Sequence, residues 1–359
     1  MQVGDIRGLT PAVENCAYFQ TSGFSPKPEP VIEEVVKWTH YQNQGPALGW
    51  VSREIDQMVE GVRARVASSL GAGADEIMLN ENASVGINIV ANGIQWKAGD
   101  NIVLSTHEHP GNRLVWYQIS RHFDVELRFT RVCNDCDALL EGFEALLDSR
   151  TRVVSISHVS RESGLRLPAK ALIEIAHRHG VPILFDGAQA FGAVPVDVHR
   201  LDCDFYTCSG HKYIMAPQAT GAFYVRRDML EWLRPSWIGS HSQEDFGPAG
   251  EFELKKATRR FEFGTRNIAS YAGMGKALEI WESIGWEKVY GRIADYTDHV
   301  KSILLAEVPG LWLETPLPYS ESSGIVTFGL PRYEPGDLSN SLMEKERILV
   351  APADARTVR

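Results

Sequence analysis

The stretch Cys203-Asp-Phe-Tyr-Thr-Cys-Ser209-Gly-His211-Lys212-Tyr-Ile-Met-Ala-Pro-Gln-Ala-Thr-Gly-Ala-Phe-Tyr224 governs how the rest of the chain reads. Its two apolar runs, 205–207 and 221–225, predict strands. Between them lies the small, polar, turn-prone segment Ser209-Gly-His211-Lys212. A lysine between two core strands is costly to bury unless it is paired or used chemically. Two readings are open at this point: a loop lysine that points to solvent, or a lysine that bonds covalently to an aldehyde cofactor.

About twenty residues upstream stands Val181-Pro-Ile-Leu-Phe-Asp186-Gly-Ala-Gln189. It is a short apolar run ending in a carboxylate and then small residues, the pattern of a buried parallel strand with function at its carboxyl end. A carboxylate there can keep a pyridine nitrogen protonated, and Gln189 can hydrogen-bond a ring substituent. Phe-Asp186-Gly-Ala-Gln189 followed by Ser209-Gly-His211-Lys212 resembles the pyridoxal-phosphate enzymes of aminotransferase class V. That group includes cysteine desulfurases, cyst(e)ine C–S lyases and isopenicillin N epimerase-like proteins. The resemblance runs from about residue 15 to residue 359. It implies pyridoxal 5'-phosphate as cofactor, Lys212 as its covalent anchor, and the α/β architecture of fold type I. That fold is a mostly parallel sheet flanked by helices, plus a small C-terminal α/β domain.

Bulk properties agree with a cofactor enzyme. The 359 residues are 44% hydrophobic, enough for a large core with a smaller domain attached. A net charge of −10 argues against nucleic acid or an anionic membrane as partner. No apolar run reaches membrane-spanning length, and the first residues lack signal-peptide features. Five scattered cysteines do not make a disulfide framework, so a reducing cytoplasm is expected. Cys133-Asn-Asp-Cys136 lacks a second ligand pair for zinc and reads as a loop before a helix at 138–147; no metal site is expected.

In chain order, Thr21, Ser22 and Gly23 occupy a turn-rich segment that the resemblance brings near the substrate. Helical spacing covers 30–42 and 51–69, and 76–79 predicts a short strand. Asn82-Ala83-Ser84 then opens a helix whose free N–H groups and dipole suit an anion. Simple capping is the compatible plainer reading. By resemblance, Ser84 and the Ala83 N–H bind the cofactor phosphate.

The strand at 101–105 leads into Thr106-His107-Glu108-His109-Pro-Gly-Asn112. Its Glu108-His109-x-x-Asn112 form is similar to the family motif whose histidine covers the cofactor ring. That selects His109 over His107. The Glu-His-Pro-Gly version resembles the C–S lyase branch more than the desulfurases. Arg161 in Ser160-Arg-Glu-Ser-Gly164 departs from the desulfurases, which carry asparagine there. It is a candidate for the cofactor's phenolic oxygen, for an acidic substrate group, or for plain surface.

Alternating strands and helices from 76 to 225 predict a mostly parallel sheet, with Asp186, Ser209, His211 and Lys212 gathered at its carboxyl ends. Residues 234–258 read as a long irregular loop. Arg260-Phe-Glu262-Phe-Gly-Thr265-Arg266-Asn267 resembles the family signature whose threonine reaches the partner subunit's phosphate. It implies a homodimer through Thr265 and makes Arg266 a candidate substrate contact. Helices are expected at 270–284, 286–306 and 338–345, with strands within 311–330, of which 324–329 is the clearest. By resemblance Arg359 binds the substrate carboxylate, with Arg356 as the alternative. The expected division is 1–20 as a segment packing with the small domain, 21–285 as the large cofactor-binding domain and 286–359 as the small domain. Relatives continue beyond this arginine, so that domain is expected to be incomplete.

Desulfurases carry a nucleophilic cysteine shortly before that arginine, and residues 325–359 contain none. The expected activity is therefore β-elimination from cysteine, cystine or a cysteine S-conjugate, with Lys212 as base and Asp186 and His109 assisting. The alternatives are an epimerase or a transaminase/deaminase acting on a natural-product intermediate. From another class, a non-catalytic pyridoxal-phosphate-binding protein also fits the motifs.

Overall fold

Seven short strands form the central sheet. They are β1 (Ile77–Asn80), β2 (Asn101–Ser105), β3 (Glu126–Thr130), β4 (Thr151–Ser157), β5 (Ile183–Asp186), β6 (Phe205–Ser209) and β7 (Gly221–Val225). The computed structural model describes Gln2 and residues 4–359. The spatial order is β1-β7-β6-β5-β4-β2-β3. Pairing is parallel from β6 through β3, whereas β7 runs antiparallel to both β6 and β1. Residues 210–220 carry no helix, so the chain cannot make the crossover that a parallel β6–β7 pair requires.

Both faces of the sheet are covered, and the side-chain alternation of each strand sorts into two apolar layers. Ile77, Leu79, Val103, Ile156, Ile183 and Phe185 enter one layer. Met78, Ile102, Leu104, Leu184, Phe205 and Phe223 enter the other. The helices that supply these layers are α1 (Glu29–Gln42), α2 (Gly49–Leu70), α3 (Ala83–Gly93), α4 (Leu114–Phe123), α5 (Cys136–Glu144), α6 (Ala169–Arg178) and α7 (Ile268–Ile284). Val62, Val66 and Leu70 of α2 and Leu172 and Ile173 of α6 join the first layer. Ile87 and Val90 of α3 and Trp116 and Ile119 of α4 join the second. Beyond α7 come α8 (Trp286–Glu307) and α9 (Pro335–Glu346).

The strand order places β3 on one side of β2 and β4 on the other. This reversal opens a crevice at the carboxyl ends of β2 and β4, where such sheets bind ligands.

Two regions differ from the sequence reading. Residues 234–258 contain an antiparallel hairpin, Gln243–Phe246 with Phe252–Leu254. Both strands are largely solvent-exposed, so no apolar alternation announces them. In 311–330 the ladder shrinks to Trp312–Leu313 against Phe328–Gly329. Side-chain hydroxyls replace the missing ladder: Ile325 N–H donates to Ser323 Oγ (3.3 Å) and Thr327 N–H to Thr315 Oγ1 (2.8 Å). The N-terminal segment pairs Ala17–Tyr18 in parallel with Ile348–Leu349. No described helix is long and apolar enough to cross a membrane.

Candidate active site

A cavity of about 440 Å³ opens at the carboxyl ends of these strands, a size suited to a small ligand. Asp186 ends β5, Ser209 ends β6, and His211 and Lys212 follow in the β6–β7 connection; all four line it. Ala83 and Ser84 contribute the first turn of α3. His109 enters from the loop after β2, Arg161 from the loop after β4, and Arg359 from the end of the chain. Residues far apart in sequence meet because parallel strands all end on the same edge.

One end of the cavity is a cradle for an anion. The Ala83 N–H donates to Ser209 Oγ at 3.1 Å, tying the α3 N-terminus to the end of β6. The His109-Pro-Gly111 turn sits directly on Ser84. A Cβ at Gly111 would lie 2.5 Å from Ser84 Oγ, so only glycine lets the turn come this close. Phe24 stacks on His211 with centroids 5.4 Å apart, and Ser25 donates its N–H and hydroxyl to the His211 carbonyl at 2.9 and 3.0 Å. Burial, then Lys212 and Lys27, push His211 down to about 4, so its imidazole is neutral.

The middle of the cavity has the donor set of a protonated heteroaromatic ring site. Asp186 is 6% exposed, and one oxygen, Oδ1, accepts from Ala188 N–H at 2.9 Å. No hydrogen bond to its other oxygen occurs among the described residues, which leaves a buried acceptor for a ring N–H. Burial raises Asp186, while the Ala188 N–H and Lys212 oppose that shift. A cationic nitrogen opposite it would return it to carboxylate. Gln189 donates to the Ser22 carbonyl at 2.9 Å, but its buried Oε1 has no partner. The enclosed Lys212 ammonium is pushed down to about 8, chiefly by burial and then by Arg359 and Arg161, against the pull of Asp186. Together these groups fit a phosphorylated pyridine aldehyde.

His109 faces the cavity and accepts from Gly111 N–H through Nδ1 at 3.0 Å. Desolvation followed by Lys212, Arg161 and Arg359 lowers it to about 4. The neutral ring then carries its proton on Nε2. His107 turns away to Ser160 Oγ (3.1 Å) and does not line the cavity.

Several residues that sequence reasoning did not single out support the site. Glu108 is buried between the ends of β2 and β4. It accepts from Ser157 N–H (2.9 Å), Ser157 Oγ (2.7 Å), Asn112 Nδ2 (2.6 Å) and Ser105 Oγ. Desolvation pushes it up to about 7 against these donors. Ser157 and Phe24 also line the cavity. Ser157's position at a parallel strand's carboxyl end was the signal that would have found it.

The candidates at the edges separate clearly. Ser22 and Gly23 line the cavity and Thr21 does not. Arg359 lines it, whereas Arg356 is exposed outside it. Arg266 lies outside the cavity of its own chain, paired with Glu81 and stacked over Phe263 at 4.9 Å. Thr265 is exposed and also outside it. Glu262 of the same segment anchors it to the sheet, accepting from Arg63 (2.6 Å) and from the Leu79 N–H (2.9 Å).

Comparison with known proteins points the same way. Residues 17–352 match the family described as Aminotransferase class-V. A cysteine desulfurase of Escherichia coli O127:H6 is 34% identical over 338 residues, covering 91% of this chain and 80% of that protein. A solved structure of a C-DES lysine-to-alanine variant, with glycine covalently linked to its PLP cofactor, superposes with a TM-score of 0.89. It is 27% identical and covers 98% of this chain and 93% of its own. The complex of the cystine C–S lyase C-DES with its reaction product, cysteine persulfide, superposes with a TM-score of 0.88. It is likewise 27% identical, over 97% of this chain and 93% of that one.

Proposed function

Because this chain belongs to the class V aminotransferase family, whose cofactor is pyridoxal 5'-phosphate, we propose that it is a lyase that breaks the C–S bond of cysteine, cystine or a cysteine S-conjugate. Pyruvate, ammonia and a thiol or persulfide would be the products. The observation that carries this reading is the cavity itself. It holds a depressed lysine, a buried carboxylate, two neutral histidines and two guanidiniums, and among the described residues no cysteine lines it. Cys203 and Cys208 are buried in and beside β6, with thiols pushed up by burial, so neither suits the role of a persulfide carrier.

Pyridoxal phosphate, when bound, supplies an aldehyde for the amino group and a ring that withdraws electrons from the α-carbon. The protein's own residues do the rest. Lys212 anchors the cofactor and, once released, its amine removes the α-proton. Asp186 holds the proton on the ring nitrogen, and Gln189 offers its free Oε1 to a ring substituent. Ala83, Ser84, Ser209 and His211 hold the phosphate. Arg359 binds the substrate carboxylate by its planar fork. His109 covers the opposite face and offers Nε2–H to the departing sulfur.

The exposed Thr265, together with exposed Trp237, Ile238, Phe246 and Phe252 in the same region, supports a homodimer in which Thr265 completes the partner's phosphate site. Five free thiols among the described residues support a reducing, cytoplasmic setting.

The test is incubation of holoenzyme in D₂O with cystine and cysteine S-conjugates, following pyruvate, released thiol and α-deuterium. Pyruvate with thiol supports the lyase. Inverted, deuterated amino acid without pyruvate moves the assignment to epimerase, and undiminished turnover by Lys212→Ala overturns the mechanism.

A further inference from the structure

Two guanidiniums share the cavity wall with Lys212, and neither has a carboxylate within ion-pair distance among the described residues. Arg359 donates through Nη1 to the Arg161 main-chain carbonyl at 2.6 Å, and its Nε is buried without a partner. The acid adjacent to Arg161 in sequence, Glu162, turns instead toward His107, with Oε2 to Nε2 at 3.7 Å. Among the described residues that line the cavity, Asp186 is the one acidic side chain, against the three cationic side chains of Arg161, Lys212 and Arg359.

The charges also sort by position. His211, at the anion cradle, feels Lys212 and Lys27. His109 feels Lys212, Arg161 and Arg359. The hydrogen bond from Arg359 to the Arg161 carbonyl holds these two residues side by side on the cavity wall. Burial and then Arg161 lower Arg359, while Tyr213 and Glu162 oppose that shift. A substrate α-carboxylate takes one bidentate guanidinium and leaves the second unmatched. Leaving a cation unpaired in a partly desolvated wall is costly, and a second anionic group would remove that cost.

Building on the proposed lyase activity, we propose that Arg161 is a specificity residue for a second anionic group, a carboxylate or sulfonate carried on the sulfur substituent of the substrate. Arg359 takes the α-carboxylate and Arg161 takes the distal anion. Substrates of this class are dianionic S-conjugates and disulfides with a carboxylate on each half.

The test reads binding without turnover, so it stands or falls apart from the lyase reading. Holoenzyme is titrated calorimetrically with succinate, glutarate and adipate and with the monoamide of each, which keeps the shape and loses one charge. The best-fitting diacid should bind at least about tenfold tighter than its monoamide, the scale of one charge-assisted hydrogen bond. Arg161→Gln should erase that preference while leaving monoamide binding within about twofold. Arg161→Lys, which keeps charge and loses the fork, should retain part of it. Arg359→Gln should weaken both ligands. Equal binding of every diacid and its monoamide overturns the proposal. So does a preference that survives in Arg161→Gln. An Arg161→Gln protein whose visible absorbance band moves while its diacid preference is intact places Arg161 on the cofactor's phenolic oxygen and likewise overturns it.

Discussion

Cofactor-free protein treated with acetic anhydride over a pH series should acylate Lys212 with a midpoint near pH 8, as burial and two nearby guanidiniums push its ammonium down to about 8. Only the neutral amine reacts, so the size of the effect follows from the neutral fraction. At pH 7 that fraction is about 9% for a group at 8 and about 0.03% for an ordinary lysine near 10.5, an advantage of about 300-fold. Digestion and mass spectrometry would report Lys212 against surface lysines such as Lys37 in the same sample. Arg359→Met removes a cation that lowers Lys212, so it should raise the midpoint. Asp186→Asn removes the carboxylate that favours the ammonium, so it should lower the midpoint. A wild-type midpoint near that of an ordinary lysine, or opposite shifts in the two variants, would refute the electrostatic account of how this lysine is activated.

Gly86→Ala should destabilise the fold by about 1–3 kcal/mol in denaturant unfolding, the usual cost of overpacking, because the new Cβ would lie 2.4 Å from Thr207 Oγ1 and 2.8 Å from the Phe223 ring. His177 is raised by its 2.9 Å hydrogen bond to the buried Asp204 carboxylate, with Asp202 also facing it and Arg226 opposing. A raised histidine contributes stability that is complete below its unfolded value of about 6.5 and lost as pH rises through the folded value. Wild type should therefore lose more stability than His177→Gln as pH climbs from about 6 to 9. Equal pH slopes in the two proteins would reject this. Glu108→Gln should lower stability by about 1–3 kcal/mol, because the amide nitrogen must face one of the donors on Ser157 or Asn112. Thermal unfolding of the two proteins at pH 8 would measure it. Iodoacetamide should label exposed Cys136 in the native protein and reach Cys203 and Cys208 only after denaturation, as peptide mapping would show.

Strands, helices and site chemistry were legible to different degrees because they depend on different ranges of the chain. Periodicity is local, so β2 and β7 and the helices around α1, α2 and α7 were readable from apolar spacing alone. Asp186 and Lys212 stood out as a carboxylate ending an apolar run and a lysine between strands, both costly to bury unless used, and the resemblance to the class V family chose the cofactor-bound reading of Lys212 over a solvent-facing one. The exposed hairpin at 243–254 lacks alternation and was invisible, and the hydroxyl-satisfied backbone at 323–327 resembled a strand without joining a ladder.

Strand patterning carried the parallel sheet, because it is written within a few residues, and the motifs carried the cofactor only through their resemblance to the class V family. Tertiary structure decided which of the site residues meet. It brought Arg359 and His109, which the resemblance had already preferred over Arg356 and His107, to the cavity wall, and it engaged Arg266 with Glu81 outside the cavity of its own chain. It also brought Arg161 and Arg359 to one wall across 198 residues of sequence. Such distant meetings follow from strand order and from which acceptor each side chain finds within a few ångströms, and neither is written in local spacing.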